Sequence, residues 1–288
     1  MSSDPVRVVG LVPNPDAEEV TPLAARAATC LREGGATVRI RRRDAAAVGL
    51  GDLGVEPGVF VESCDVVVSL GGDGTMLHAI DTVYDSGVPV LGVNAGHLGY
   101  LTEVDGPGLE TALRRLLDGD FTVTERMVLH VTATAGGSDL LLDALNELTL
   151  EKVDPGRIAR LEVSINGRFF TTYAADGVIV ATPTGSTAYS FSARGPIVSP
   201  EHRCMLLTPV SPHMLFDRSL VLGPTEQLRF DVAGHQAVHL TTDGREVAIL
   251  QPGDTVSCTA GERPARVVSF ESRDFHQILK AKFGLADR

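Results

Sequence analysis

The run Gly71-Gly72-Asp73-Gly74-Thr75 constrains this chain more than any other segment. It follows the apolar stretch Val66-Val67-Val68-Ser69-Leu70 and precedes the helix-patterned Met76-Leu77-His78-Ala79-Ile80. A buried strand, a glycine turn and a helix start put backbone N–H groups where phosphate oxygens can meet them. A carboxylate in such a turn repels phosphate, so Asp73 needs a reason to be there. One reason is structural: the glycines supply φ > 0 and Asp73 caps the helix. The other is chemical: Asp73 takes the proton of a hydroxyl that attacks a phosphoryl group. The turn lacks the GK[ST] ending of a Walker loop and the third glycine of GxGxxG, so neither template applies.

A second segment narrows the choice. Asp176-Gly177 opens the apolar strand Val178-Ile179-Val180-Ala181, and Thr182-Pro183-Thr184-Gly185-Ser186-Thr187 is a small-residue loop opening a short helix. Ser186 or Thr187 is placed to cap that helix, and Gly185 lets a ligand approach the backbone. A polar linker is the alternative. The apolar run before it and the helical Tyr189-Ser190-Phe191-Ser192-Ala193 after it speak against a linker.

Together these segments resemble the bacterial NAD kinases, which phosphorylate the adenosine 2′-hydroxyl of NAD to give NADP. Residues 71–75 are similar to the family's GGDG turn and residues 94–102 to its NxGxLGFL segment. Asn146-Glu147 is similar to the NE pair, and residues 176–192 to the DG…TPTGSTAYxxS block. Pro209-Val210-Ser211-Pro212-His213 is similar to a later segment, and all the blocks occur in family order. There are departures. Arg194 stands where the family often has glycine, Tyr100 replaces the commoner phenylalanine, and residues 151–156 form a longer hairpin than in many relatives.

At 288 residues the chain exceeds the usual single-domain size. Residues 1–121 alternate apolar strands with helices, as a parallel α/β domain does, with ligands at the carboxyl ends of its strands. Residues 21–33 and 108–118 read as helices, while the glycine-rich residues 49–58 read as a loose loop. Residues 122–271 alternate with period two and carry the hairpin signals Asn166-Gly167 and Asp243-Gly244, as a β-rich, sandwich-like domain does. Residues 122–134 read as one such alternating run. The tail over 272–288 is helical, with Phe275, Ile278, Leu279, Lys282 and Phe283 available for packing; the resemblance implies that it returns to the first domain.

The formal net charge of −12 argues against a nucleic-acid or anionic-membrane partner. The cluster Arg39, Arg41, Arg42 and Arg43 reads as a solvated strand end. Cys30, Cys64, Cys204 and Cys258 have no metal-ligand spacing and are expected as reduced thiols. No apolar run reaches the ~18 residues of a membrane helix, and the first residues have no signal-peptide character, so a cytoplasmic protein is expected.

Phosphoryl transfer is mostly positioning and charge neutralisation. Asp73 is the candidate catalytic group, orienting the hydroxyl and taking its proton late. No lysine lies beside the turn, so the phosphate charge of the donor, ATP or polyphosphate, falls to Mg²⁺ and to the amides of Gly71, Gly72, Gly74 and Thr75. His78, on the first turn of the helix, is either a phosphate donor or a packed histidine. For NAD, the resemblance implies Asp73, Gly74, His78, Asn146, Glu147 and Asp176 as polar contacts. It adds the short-helix residues Thr187, Ala188, Tyr189, Ser190, Phe191 and Ser192. Tyr189 and Tyr100 are the aromatic candidates, and Arg160 and Arg245 occupy positions where relatives sometimes use a polar contact. A homodimer or homotetramer joined through the β-rich domain is also implied. Lipid kinases of the diacylglycerol and sphingosine type share the GGDG turn, but the block at residues 176–192 resembles NAD kinases instead. A non-catalytic nucleotide sensor is the third reading, and retention of Asp73 speaks against it.

Overall fold

The computed structural model describes residues 6–96, 99–270 and 274–285; His97 and Leu98 of the NxGxLGFL segment, Ser272, and the residues read for signal-peptide character lie outside them. The chain divides into two compact units, residues 1–125 with 265–288, and residues 126–264.

Unit 1 begins β1 (Val8–Pro13), α1 (Val20–Glu33), β2 (Thr37–Arg41), α2 (Arg42–Ala47), β3 (Gly54–Val55), α3 (Pro57–Val61), β4 (Val66–Gly71) and α4 (Asp73–Val83). It continues with β5 (Val90–Asn94), β6 (Val104–Asp105), α5 (Leu109–Leu117) and β7 (Thr122–Arg126). Unit 2 holds β8 (Leu129–Ala135), β9 (Ser138–Ala144), β10 (Glu147–Lys152), β11 (Ala159–Ile165), β12 (Arg168–Ala175) and β13 (Gly177–Ala181). After α6 (Tyr189–Ser192) come β14 (Met205–Val210), β15 (Leu220–Leu222), β16 (Leu228–Ala233), β17 (Val238–Thr242), β18 (Arg245–Leu250) and β19 (Thr255–Ala260). The chain then returns to unit 1 with β20 (Ala265–Ser269) and α7 (Phe275–Phe283).

The sheet of unit 1 has the order β3-β2-β1-β4-β5-β20-β7, with β6 beside β5. Strands β1 to β6 pair in parallel, and β20 joins β5 in the same sense through Val267 and Val90. Every residue of β4 and β5 is buried, as the unbroken apolar runs of parallel strands require. Helix α1 buries Val20, Leu23, Ala24, Ala27, Ala28 and Leu31 against this sheet, and α5 adds Leu109, Leu113 and Leu116 to the same core. The chain moves outward from β1 to β3, then resumes on the other side of β1 with β4. That reversal makes a switch point between β1 and β4, where the carboxyl ends of open α/β sheets receive ligands.

Three expectations need correction here. Residues 151–156 are not a hairpin: they cross from β10 in one sheet to β11 in the other. Residues 49–58 are not a loose loop: they form a 3₁₀ turn, β3 and the start of α3, because Phe60 is fully buried and anchors α3. Residues 122–134 are not one strand. Met127 and Val128 are buried between β7, which pairs in the first sheet, and β8, which pairs with β9 and β19.

Unit 2 is two antiparallel sheets of six strands, ordered β15-β14-β13-β10-β17-β18 and β12-β11-β16-β19-β8-β9. They share one apolar core that includes Leu148, Leu150, Val178, Val180, Tyr173, Phe230 and Leu240. Both hairpin signals hold. Asn166 and Gly167 have φ of 52° and 72°, and Asp243 and Gly244 have 48° and 75°, the left-handed pair that a two-residue turn needs. Arg194 also has a positive φ, 65°. A relative with glycine there avoids a backbone cost of about 1 kcal/mol. Among the described residues no helix is long and apolar enough to cross a membrane. Cys30, Cys64, Cys204 and Cys258 are free thiols.

Candidate active site

The glycine turn sits at the carboxyl end of β4, on the switch point. A Cβ on Gly71 would collide with Thr75 Oγ1 and Cβ, so the turn closes only with glycine. Gly72 and Gly74 face open space, with no atom within 4 Å of where a Cβ would stand. Gly72 is the N-cap of α4, and the Thr75 and Met76 amides donate to its carbonyl. The first amides of a helix have no carbonyl one turn back, but the Thr75 N–H, expected to meet phosphate, is already taken by the Gly72 carbonyl at 3.0 Å.

Asp73 does not cap the helix: α4 has no side-chain cap. Its carboxylate instead accepts the backbone N–H groups of Tyr100 at 2.9 Å and Leu101 at 3.0 Å, one on each oxygen. A Cβ at Gly99 would strike Asp73 Oδ1, so the segment after β5 closes tightly over the acid. Each oxygen keeps further lone-pair capacity for a hydroxyl or a metal-bound water. Tyr100 lies beside it. Burial first, and then the Asp73 charge, raise the Tyr100 phenol above its ordinary range. The Lys282 ammonium of α7 covers the Tyr100 ring at 4.0 Å.

A cavity of about 350 Å³ opens at the turn, lined by Asn14, Arg41, Asp44, Gly72, Thr75 and His78 among others. Pro13 ends β1, Asn14 and Pro15 follow it, and Arg41 ends β2. The reading of Arg41 as part of a solvated strand end is therefore wrong: its side chain is 22% exposed and ion-paired to Asp44 at 2.7 Å. Its guanidinium also meets His78 Nε2 at 2.5 Å. The turn has no lysine beside it, but folding brings an arginine there from another strand.

In unit 2 the Asn146-Glu147 pair is built by the hairpin after β17. The Asp243 carboxylate accepts the backbone N–H groups of Leu145 at 2.8 Å, Asn146 at 2.7 Å and Glu147 at 3.1 Å. The Asn146 carbonyl in turn accepts the Thr182 N–H at 2.9 Å. A Cβ on Gly185 would overlap the Asn146 backbone, so the small-residue loop packs directly on it. Asn146 is half-buried. Glu147 Oε2 and Thr184 Oγ1 are buried and lack partners.

Burial, and next the Asp243 charge, push the Glu147 carboxyl from an ordinary 4.5 up to about 7, against a lowering contribution from the Tyr189 backbone. The three N–H bonds oppose the upward pull of burial on Asp243. Between the ordinary carboxylate range and pH 7 the folded chain binds more protons than the unfolded chain. Stability is full below that range and falls as pH rises through about 7. The loss is at most about 3 kcal/mol, from a shift of roughly two pH units. Glu147→Gln is expected to flatten this slope. Urea midpoints compared at pH 5 and pH 8 test it, and an unchanged slope contradicts the assignment.

Asp176, just before β13, is paired with Lys152 at 2.5 Å. The Tyr189 hydroxyl donates to Glu151 Oε1 at 2.6 Å. Burial, then Glu151, then Asp176 and Glu147, raise that phenol to about 12, so these groups form one cluster. The expected single helix over residues 187–192 is two pieces. A 3₁₀ turn (Thr184–Thr187) ends at Ala188, whose ψ of −129° breaks it before α6. Neither Ser186 nor Thr187 caps α6. Ser186 Oγ bridges Pro183 and Val198, and Thr187 Oγ1 donates to the Thr184 carbonyl. Ser190 is buried beside Thr208, while Phe191 and Ser192 are exposed. Arg245 is close enough to Asp243 for its charge to act on it. Arg160 stands on the other sheet, between Ala174 and Ala233, apart from this cluster.

The class that fold and turn define is a nucleotide-dependent phosphotransferase. The ATP-NAD kinase N-terminal domain model matches residues 58–121, and the ATP-NAD kinase C-terminal domain model matches residues 145–270. The NAD kinase of Moorella thermoacetica is 39% identical over 275 residues, covering 95% of this chain and 88% of that protein. The chain belongs to the NAD kinase family. The NAD kinase of Symbiobacterium thermophilum is 40% identical over 254 residues, covering 88% of this chain and 90% of its own. Among solved structures, yeast NADH kinase complexed with NADH matches with a TM-score of 0.91 at 25% identity, covering 99% of this chain and 90% of that one. An NAD kinase from Archaeoglobus fulgidus in complex with ATP shares the fold, with a TM-score of 0.72 at 23% identity, covering 96% of this chain and 97% of that one.

Proposed function

We propose that this NAD kinase transfers the terminal phosphoryl group of ATP to the adenosine 2′-hydroxyl of NAD at the β1–β4 switch point, with Asp73 accepting the hydroxyl proton. The observation that carries the reading is the Asp73 carboxylate itself. Two backbone N–H groups hold it in place, in a turn whose amides would otherwise favour only anions. In a largely dissociative transition state, orientation of the hydroxyl matters more than basicity, and a fixed carboxylate supplies it. The amides of Gly72 and Gly74 meet the donor phosphates, whereas the Thr75 N–H stays on the Gly72 carbonyl. Asn146, Glu147 and Asp176 read the NAD polar groups, and Tyr189 flanks them. The buried, unpartnered Glu147 Oε2 supports this, since a buried polar atom without a partner costs about 1–3 kcal/mol until one arrives.

Magnesium fits the acidic, phosphate-facing turn. Asp73 is the residue that would hold it, and the ion would supply charge neutralisation on the donor. Among the described residues no group of three or more carboxylate, histidine or cysteine side chains could hold a metal ion. Excess EDTA is therefore expected to abolish NADP formation and added Mg²⁺ to restore it; full turnover in EDTA contradicts the metal. The protein is further proposed to work in the cytoplasm as a homodimer or homotetramer through the β-rich unit. Exposed Leu141, Phe169, Phe170 and Ile249 on edge strands β9, β12 and β18 support such a contact.

A further inference from the structure

We propose that Arg41 binds the phosphate chain of the phosphoryl donor, with Asp44 and His78 as the positioning residues that aim it. The proposal rests on the placement of donor phosphates at the glycine turn given above. Arg41 comes from β2 and His78 from α4, so the pair exists only in the folded sheet. The guanidinium Nε donates to Asp44 Oδ2 at 2.8 Å, and Nη2 lies 2.7 Å from the same oxygen. Nη2 also meets His78 Nε2 at 2.5 Å. A guanidinium offers five N–H donors and no acceptor. His78 Nε2 must then accept, which puts the His78 proton on Nδ1.

These contacts use the N–H groups of Nε and Nη2. Among the described residues the two N–H groups of Nη1 have no partner. The same side chain lines the cavity of about 350 Å³ that Gly72, Gly74 and Thr75 border. The two N–H bonds of Nη1 lie in the guanidinium plane and diverge, so each can donate to a separate phosphate oxygen while the Asp44 and His78 contacts fix the plane. The Asp44 charge offsets that of Arg41, so the contribution is directional hydrogen bonding more than net charge. Asp44 is 9% exposed, which keeps this pairing out of bulk water. A contact of this kind reads phosphate and ignores the base. His78, expected either to give a phosphate contact or to pack, instead fixes the group that gives one.

The test is steady-state kinetics on the intact protein with NAD and with ATP or GTP as donor. Arg41→Ala is expected to raise the KM for ATP and for GTP by the same factor, about 10–100-fold, the loss of hydrogen bonds to a charged group. The KM for NAD should change by less than about threefold, and the melting temperature should show the variant folded. Arg41→Lys should recover only part of the loss. His78→Leu should give an intermediate rise, and His78→Gln, which keeps an acceptor, a smaller one. Calorimetric binding of inorganic tripolyphosphate should weaken in parallel. If Arg41→Ala does not fold, Arg41→Gln gives the same readings. A donor KM unchanged in a folded Arg41 variant, or a KM for NAD raised equally, overturns the proposal. An inactive Asp73→Asn beside a normal Arg41→Ala overturns this inference alone, whereas a fully active Asp73→Asn overturns the reading beneath it.

Discussion

Asp73→Asn is expected to lower kcat by about 10²–10⁴, the usual range for a positioned acid or base. The substitution removes the acceptor charge, and it does more. Both oxygens of Asp73 accept backbone N–H groups, from Tyr100 and Leu101. An asparagine amide turns one acceptor into a donor facing an N–H, so local stability should fall by about 1–3 kcal/mol. A melting curve must therefore accompany the rate. A folded Asp73→Asn protein with near-normal turnover removes Asp73 from the mechanism. A KM for NAD that rises while kcat holds assigns it to binding alone.

Asp243→Ala is expected to be the most destabilising single change in unit 2. It strands the N–H groups of Leu145, Asn146 and Glu147 together. Each stranded amide carries about 1–3 kcal/mol, and the three are not additive because the segment can relax. A net loss of about 3–5 kcal/mol follows, read as a lower urea midpoint. Surviving folded protein should also show a raised KM for NAD, since the loop that presents Asn146 is no longer held. Asp243→Asn, which keeps one acceptor and tolerates the positive φ, should lie between the two. A loss below about 1 kcal/mol in the alanine variant would show that this clamp is not what builds the pair.

The parts of the fold that were legible are those with a local cause. Unbroken apolar runs gave β4 and β5, the leucine spacing gave α5, and Asn166-Gly167 and Asp243-Gly244 gave their hairpins because only a few residues tolerate that backbone. The glycine turn was legible for the same reason. What escaped depends on contacts distant in sequence. Asp243 was visible as a turn residue, but its grip on residues 145–147 is made some 96–98 positions away. Arg41 looked solvated because its partner His78 lies 37 residues on, in another element. Asn14, after β1, carried no pattern of its own; the signal available was its place at the end of the first strand, which gains meaning only with the strand order. The break at Ala188 separates two short helical pieces that periodicity over so few residues cannot distinguish from one.

The most direct test of the central claim is to incubate the purified protein with NAD, ATP and Mg²⁺ and locate the new phosphate on the product. The account predicts NADP, with the phosphoryl group on the adenosine 2′-oxygen, formed by the native chain and lost by a factor of about 10²–10⁴ in folded Asp73→Asn. A product phosphorylated elsewhere, or NADP formed equally fast without the Asp73 carboxylate, would contradict it.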